Sequence, residues 1–225
     1  MPRASSFEVW LRVAARLPPL RSGPLPSHAV PVAQPAEQLH EATYADLEAL
    51  PPTMVGQIIH GLLYAMPRPA SRHARACSRL GGELMGPFDL GRGGPGGWQI
   101  LDEPELHFPN PRVKAGKDVL VPDLAGWSRE RMPEFLDVPF FALAPDWICE
   151  VLSPSTEAID REKKMPIYAR EDVRWAWLID PVERVLEAYL LEDRRWVESG
   201  TWRGDDRARV APFDAMELDL GVLWA

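Results

Sequence analysis

Cysteine is scarce in this chain of 225 residues: Cys77 and Cys149 lie far apart and form no CxxC pair. That excludes a disulfide framework or a zinc ribbon, and it fits a reducing, cytoplasmic setting. Long hydrophobic runs are missing too. None approaches the ~18 residues that a membrane-spanning helix needs. The opening stretch MPRASSFEVWLRVAARLPPL carries arginines but no continuous apolar core, which argues against a secretory signal. Positive charge is in deficit, with 25 Lys and Arg against 33 Asp and Glu and a formal net charge of −8. Phosphate binding needs positive potential, so the overall charge excludes a protein that simply coats nucleic acid. An enzyme with a local basic surface stays within bounds.

Proline (24) and glycine (16) are plentiful, which favours short elements and many turns. Residues 17–36 are Pro-rich without apolar periodicity and read as an extended linker. Residues 1–40 form a Pro/Arg-rich extension, and the folded domain is expected over residues 41–225. Thr43 in TYAD has the spacing of a capping box for a short helix through Leu50. QIIHGLLYAM reads as a hairpin with His60-Gly61 at its turn, and Ser71 as the cap of a helix to about Leu84. WQILDEPELHF and DVLVPDLAGW each read as a strand. STEAIDREKKMPIYAR reads as a helix with an awkward interior Pro166. VRWAWLID, RVLEAYLLE and RRWVESGTW complete a set of strands, the last two close enough for a hairpin. The expectation is an α+β fold, a mixed sheet with a few helices.

The chemistry concentrates in two acids. In DWICEVLSPST, Glu150 interrupts an apolar run that reads as a strand buried on both faces. In VLVPDLAGW, Asp123 follows Pro122 inside another apolar run. An unpaired buried carboxylate costs several kcal/mol, and two on neighbouring strands repel unless a cation lies between them. A Mg²⁺ or Mn²⁺ ion would offset both penalties, because hard cations prefer carboxylate oxygens. Lys163 and Lys164 follow on the next helix, where a lysine can orient a water or stabilise charge in a phosphoryl transition state. The bland alternatives are that Asp123 is a turn residue, that Glu150 pairs with a core arginine, and that the lysines are solvated.

RPASRHARACSR has arginines and no acid. Arg72, Arg75 and Arg79 fall on one helical face and Cys77, Leu80 and Leu84 on nearly the opposite one, with His73 on the apolar side as a core or hydrogen-bonded histidine. The arginine stripe reads equally as a phosphate contact or as a solvated face. GRGGPGGW lacks the GK[ST] ending of a phosphate loop and reads as a connection. Trp175 and Trp177 share one strand face, where packing is commoner than base stacking. Glu103 and Glu105 are further acids near the sheet, with a weak claim on the site.

The order of these blocks resembles the PD-(D/E)XK nuclease superfamily and, within it, the Uma-two family of restriction-endonuclease-like proteins. The likeness runs over residues 41–225 and rests on YADLEALP, QIIHGLLYAMPRPASRHARA, GGPGGWQILDEPELHF, VLVPDLAGW, DWICEVLSPST, KKMPIYAREDVRWAWLIDP and PFDAMELDL. It implies a restriction-endonuclease-like fold, a central mixed β-sheet flanked by helices. It also implies Asp123 and Glu150 as ligands of Mg²⁺ or Mn²⁺, DNA as the substrate, and an endonuclease that is a candidate homodimer. The superfamily lysine normally lies two residues after the second acid, where this chain has Leu152; Lys164 on the following helix matches its displaced position, with Tyr168 one turn later. Where the family carries a glutamate in the first hairpin strand this chain has Gln57, a neutral ligand that lowers the expected metal affinity. His60 replaces the family's turn aspartate. The competing expectation is a catalytically impaired nuclease fold that serves as a nucleic-acid-binding or interaction module.

Overall fold

Thr43 donates its backbone N–H and its hydroxyl to the Asp46 carboxylate, each at 2.7 Å, and so opens helix α1 (Tyr44–Glu48). The computed structural model describes residues 41–225; the extension expected over residues 1–40 lies outside them. Strands β1 (Met54–Ile59) and β2 (Leu62–Pro67) form the expected hairpin. Its turn residues His60 and Gly61 both hold left-handed backbone, φ 51° and 80°, the conformation that a tight two-residue hairpin demands. Helix α2 (Ser71–Leu84) starts one residue earlier than its serine suggests: Ala70 is the N-cap and Ser71 the first helical residue, so no side chain caps it. Its Ala76, Cys77, Leu80 and Leu84 are buried, as the periodicity requires.

Two stretches that read as single strands are each divided. WQILDEPELHF yields β3 (Trp98–Asp102) and β4 (Leu106–Pro109), and DVLVPDLAGW yields β5 (Lys117–Leu120) and β6 (Leu124–Ser128). Pro104 and Pro122 stand in the breaks, where their missing N–H ends a ladder. The halves then join different sheets: β2-β1-β5-β4 form one, and β3 and β6 belong to the other. Asp123 is therefore not inside a strand but at the crossing between the sheets.

The larger sheet also takes β7 (Trp147–Val151), β8 (Trp175–Asp180), β9 (Val185–Glu192) and β10 (Arg195–Arg203), in the order β10-β9-β8-β7-β6-β3. Its β7–β8 pair is parallel and its other pairs antiparallel, so the sheet is mixed. Every residue of β7 is buried, which requires layers on both faces. One face packs α2 and an aromatic cluster in which Trp147, Trp177 and Phe213 meet edge to face; β11 (Arg207–Ala208), β12 (Leu218–Asp219) and helix α5 (Gly221–Trp224) lie on that side. The other face packs Ile148 and Leu152 against Ile159, Ile167 and Tyr168. Those come from helix α3 (Glu157–Ile159), a π turn over Asp160–Lys164, and helix α4 (Met165–Arg170). The π turn sits just before Pro166, whose ring would strike the carbonyl four residues back in a regular α-helix. The fold is α+β.

Candidate functional site

Glu150 projects from β7, one residue before its end, and is 1 % exposed. Its partner is Lys164, whose Nζ lies 2.7 Å from Oε2, while the Tyr168 hydroxyl donates to Oε1 at 2.6 Å. The arginine pairing is thus replaced by a lysine and a tyrosine one turn apart. Lys164 is itself buried, because the π turn rotates it inward and leaves Lys163 partly exposed. Nζ also lies 3.1 Å from Asp160 Oδ1 and donates to the Val121 carbonyl at 3.4 Å. Asp160 is a member of the cluster that the sequence reading did not single out. Its spacing of four residues before Lys164 was the available signal.

Asp123 enters from the sheet crossing. The register that opposes Leu124 to Cys149 carries Asp123 to the level of Glu150. There its Oδ2 accepts the Val151 N–H at 2.7 Å, taking the place of a ladder bond. Its other oxygen, Oδ1, lies 3.3 Å from His73 Nε2 on α2. His73, read as a core or hydrogen-bonded histidine, is the neighbour of an expected metal ligand, and its Nδ1 is buried without a hydrogen-bond partner. Gln57 is buried on β1, and its Oε1 accepts the Val121 N–H at 2.9 Å. It thereby tethers the segment that carries Asp123, and the Val121 carbonyl faces Lys164.

Two carboxylates, Glu150 and Asp160, thus bond one buried lysine with Asp123 level with Glu150, and this gathering of acids shifts several titratable neighbours. Burial pushes the Glu150 carboxyl up to about 8, with Lys164 opposing and Asp160 and Asp123 adding to the rise. Asp160 is raised for the same reason, burial ahead of the opposing lysine. Burial alone would lower Lys164, but the charges of Glu150 and Asp160 outweigh it and hold the ammonium protonated. His73 is raised as well: burial acts to lower it, and the Asp123 hydrogen bond and charge prevail. Cys149 and Tyr168 are driven up by burial and by the same acids.

This donor set suits a hard divalent cation, since it offers carboxylate oxygens with free lone pairs and a charge excess for the ion to neutralise. Among the described residues no three His, Cys, Asp or Glu side chains form a ready-made metal cluster. Water and backbone oxygens would complete the coordination, the usual arrangement for Mg²⁺. Glu103 follows the end of β3 with φ 46°, and its N–H donates to the Asp123 carbonyl at 3.1 Å. Its carboxyl is raised by burial and by the charges of Asp102 and Asp123. Glu105 instead accepts from Tyr44 and sits on His107, away from this cluster.

The three arginines of α2 do not act as one stripe. Arg79 donates to the Val222 carbonyl and ties α2 to α5, whereas Arg72 and Arg75 are exposed and line a cleft. The glycine-rich connection is held by backbone bonds from Arg92 to Gly86 and from Gly96 to Pro87, and precedes a strand rather than a helix, unlike a phosphate loop. No helix of the described residues is long and apolar enough to cross a membrane.

The sequence profile described as "Uma2: Putative restriction endonuclease" matches residues 42–221. Among solved structures, the chain is similar to a putative nuclease belonging to DUF820 from Anabaena variabilis ATCC 29413. That match has a TM-score of 0.62 and 22 % identity, and covers 81 % of this chain and 97 % of that one. No curated protein matches the chain. The likeness to the solved nuclease, over four-fifths of this chain, establishes the restriction-endonuclease-like fold.

Proposed function

The chain belongs to the Uma2 family of putative restriction endonucleases, and from that premise we propose that it is a metal-dependent endonuclease that hydrolyses phosphodiester bonds of DNA. The observation that carries this reading is the cluster in which buried Glu150 and Asp160 share Lys164 while the partly exposed Asp123 is held beside Glu150 by the Val151 N–H. Such a charge excess inside a protein is expensive unless the site is built to receive a cation. Asp123 and Glu150 would hold Mg²⁺ or Mn²⁺, which when bound would polarise the scissile phosphate and lower the pKa of a water nucleophile. Lys164, kept protonated by its acidic neighbours, supplies fixed positive charge where the transition state becomes more negative. Tyr168 holds Glu150 in a single orientation through the 2.6 Å bond. Gln57 fixes the Val121–Asp123 crossing and would contribute at most a neutral oxygen to the ion. A homodimer would present two such sites for cutting both strands.

The catalytically impaired alternative is favoured by Gln57, whose oxygen is engaged by the Val121 N–H and which brings no charge. Calorimetric titration with Mn²⁺ separates the two readings, alongside a cleavage assay on supercoiled, linear and single-stranded DNA. Wild type, Asp123→Asn and Gln57→Glu are compared. The nuclease reading expects Asp123→Asn to lose both metal uptake and cleavage, and Gln57→Glu to keep or raise them. Equal residual cleavage in all three, or no metal uptake by wild type, rules it out.

A further inference from the structure

On the side of the larger sheet that packs α2 and α5 lies a cleft of about 550 Å³ whose walls include Arg72 and Arg75 of α2, Arg184 of the β8–β9 turn, Asp205, Trp224 and Ala225. Arg184 is paired with Asp205. Arg72 and Arg75 have no ion pair or hydrogen bond among the described residues. The cleft's side chains therefore carry a net charge of +2, reduced to +1 by the Ala225 carboxylate that also lines it, in a protein whose net charge is −8. The Trp224 indole N–H is committed to the Gly204 carbonyl, so the ring contributes to this wall as an aromatic surface.

The cleft is coupled to the acidic cluster by two elements. His73, adjacent to Arg72, reaches Asp123 from the other flank of α2, a helix about 10 Å across with its side chains. Across the sheet, the Ile179 carbonyl near the end of β8 accepts the Leu152 N–H, two residues beyond Glu150, and the Pro181–Arg184 turn follows immediately. Unpaired guanidinium groups favour bidentate contact with phosphate, and an aromatic wall favours a base.

We propose that this cleft is a phosphate-binding subsite for a nucleic-acid strand, with Arg72 and Arg75 as its anchors and Arg79 excluded from it. The inference rests on the nuclease reading for the identity of the polymer, but not for the existence of the subsite. The test measures binding of a fluorescent oligonucleotide, single-stranded in one arm and duplex in the other, without divalent metal, over a range of salt. The Arg72→Ala/Arg75→Ala double variant is expected to lose roughly tenfold in affinity at low salt, and to have a log–log salt slope shallower by about 1.4 for the single strand. Both residues are exposed, so the fold is undisturbed. Arg79→Ala should keep the wild-type slope. Unchanged affinity and slope in the double variant, or no binding by wild type, overturns the subsite. Arginine-dependent binding without metal uptake would keep the subsite and sink the nuclease reading; cleavage with an unaltered KM in the double variant would do the reverse.

Discussion

The Val151 N–H donates to Asp123 Oδ2 across a distance of 2.7 Å, so a side chain from the sheet crossing closes the ladder beside Glu150. The bond fixes the carboxylate of one candidate ligand at the peptide that follows the other. An asparagine can accept the same N–H through its amide oxygen. Asp123→Asn should therefore unfold within about 1 kcal/mol of wild type in urea, while its calorimetric Mn²⁺ signal disappears. A large loss of stability would mean that the carboxylate serves the fold rather than an ion.

Lys164 is the sole cation bonded to Glu150 and Asp160 among the described residues. Removing one partner of a buried ion pair typically costs about 3–5 kcal/mol. Lys164→Met fills similar space without the charge, so a loss of that size is expected near pH 8, with a smaller one at pH 5 where the acids can take up protons. Urea denaturation at the two pH values reads the difference. An equal loss at both would show that packing, not charge, was removed.

The acids also set a pH dependence for the metal-free protein. Glu150 is raised from 4.5 to about 8 by burial, and Asp160 and His73 are raised too. A group with a raised folded-state pKa gives stability that is complete below its unfolded pKa and lost as pH climbs through the folded value. Stability should accordingly fall between pH 4.5 and about 8, by an amount on the order of a few kcal/mol. Lys164 stays charged across that window and does not reverse the sign. Melting curves in chelator should show Tm dropping towards pH 8, and Mg²⁺ should restore more at pH 8 than at pH 5. A Tm that rises with pH in chelator contradicts the cluster's charge balance.

The pattern that made Glu150 conspicuous, an acid inside an apolar run, is local, and its burial in β7 follows from that pattern. The partner was less legible. Lys164 looks like half of an ordinary surface pair until the π turn ahead of Pro166 turns it inward, and helical periodicity at 3.6 residues per turn cannot anticipate that rotation. The hairpin was legible from Gly61 between two apolar runs, since glycine supplies the left-handed residue that a tight turn needs, although His60 takes up that region as well. By contrast, the division of WQILDEPELHF and DVLVPDLAGW between two sheets depends on long-range pairing, of which Pro104 and Pro122 are only local hints. The arginine stripe shared a helical face in sequence, but what it meets is decided by residues far along the chain: Val222 for Arg79, and Arg184 and Trp224 for the cleft of Arg72 and Arg75.

The hairpin turn offers a test of the fold that is separate from the acids. Gly61 holds φ 80°, and a β-carbon there would lie 3.2 Å from Val113 Cγ1. An L-residue in the left-handed region costs about 1–2 kcal/mol before any crowding. Gly61→Ala should therefore lower stability by at least that amount. His60 occupies the same region at φ 51° with an exposed side chain, while its N–H donates to buried Asp118 at 2.7 Å. His60→Gly keeps that bond and removes the strain, so it should be neutral or stabilising by a few tenths of a kcal/mol despite the extra freedom of the unfolded chain. Paired chemical denaturation of the two variants reads both signs. Because Gln57 lies in the same hairpin and tethers Val121 at 2.9 Å, Gly61→Ala should also weaken Mn²⁺ uptake while leaving the Lys164–Glu150 pair intact. A Gly61→Ala protein with wild-type metal affinity would show that the hairpin does not position Asp123.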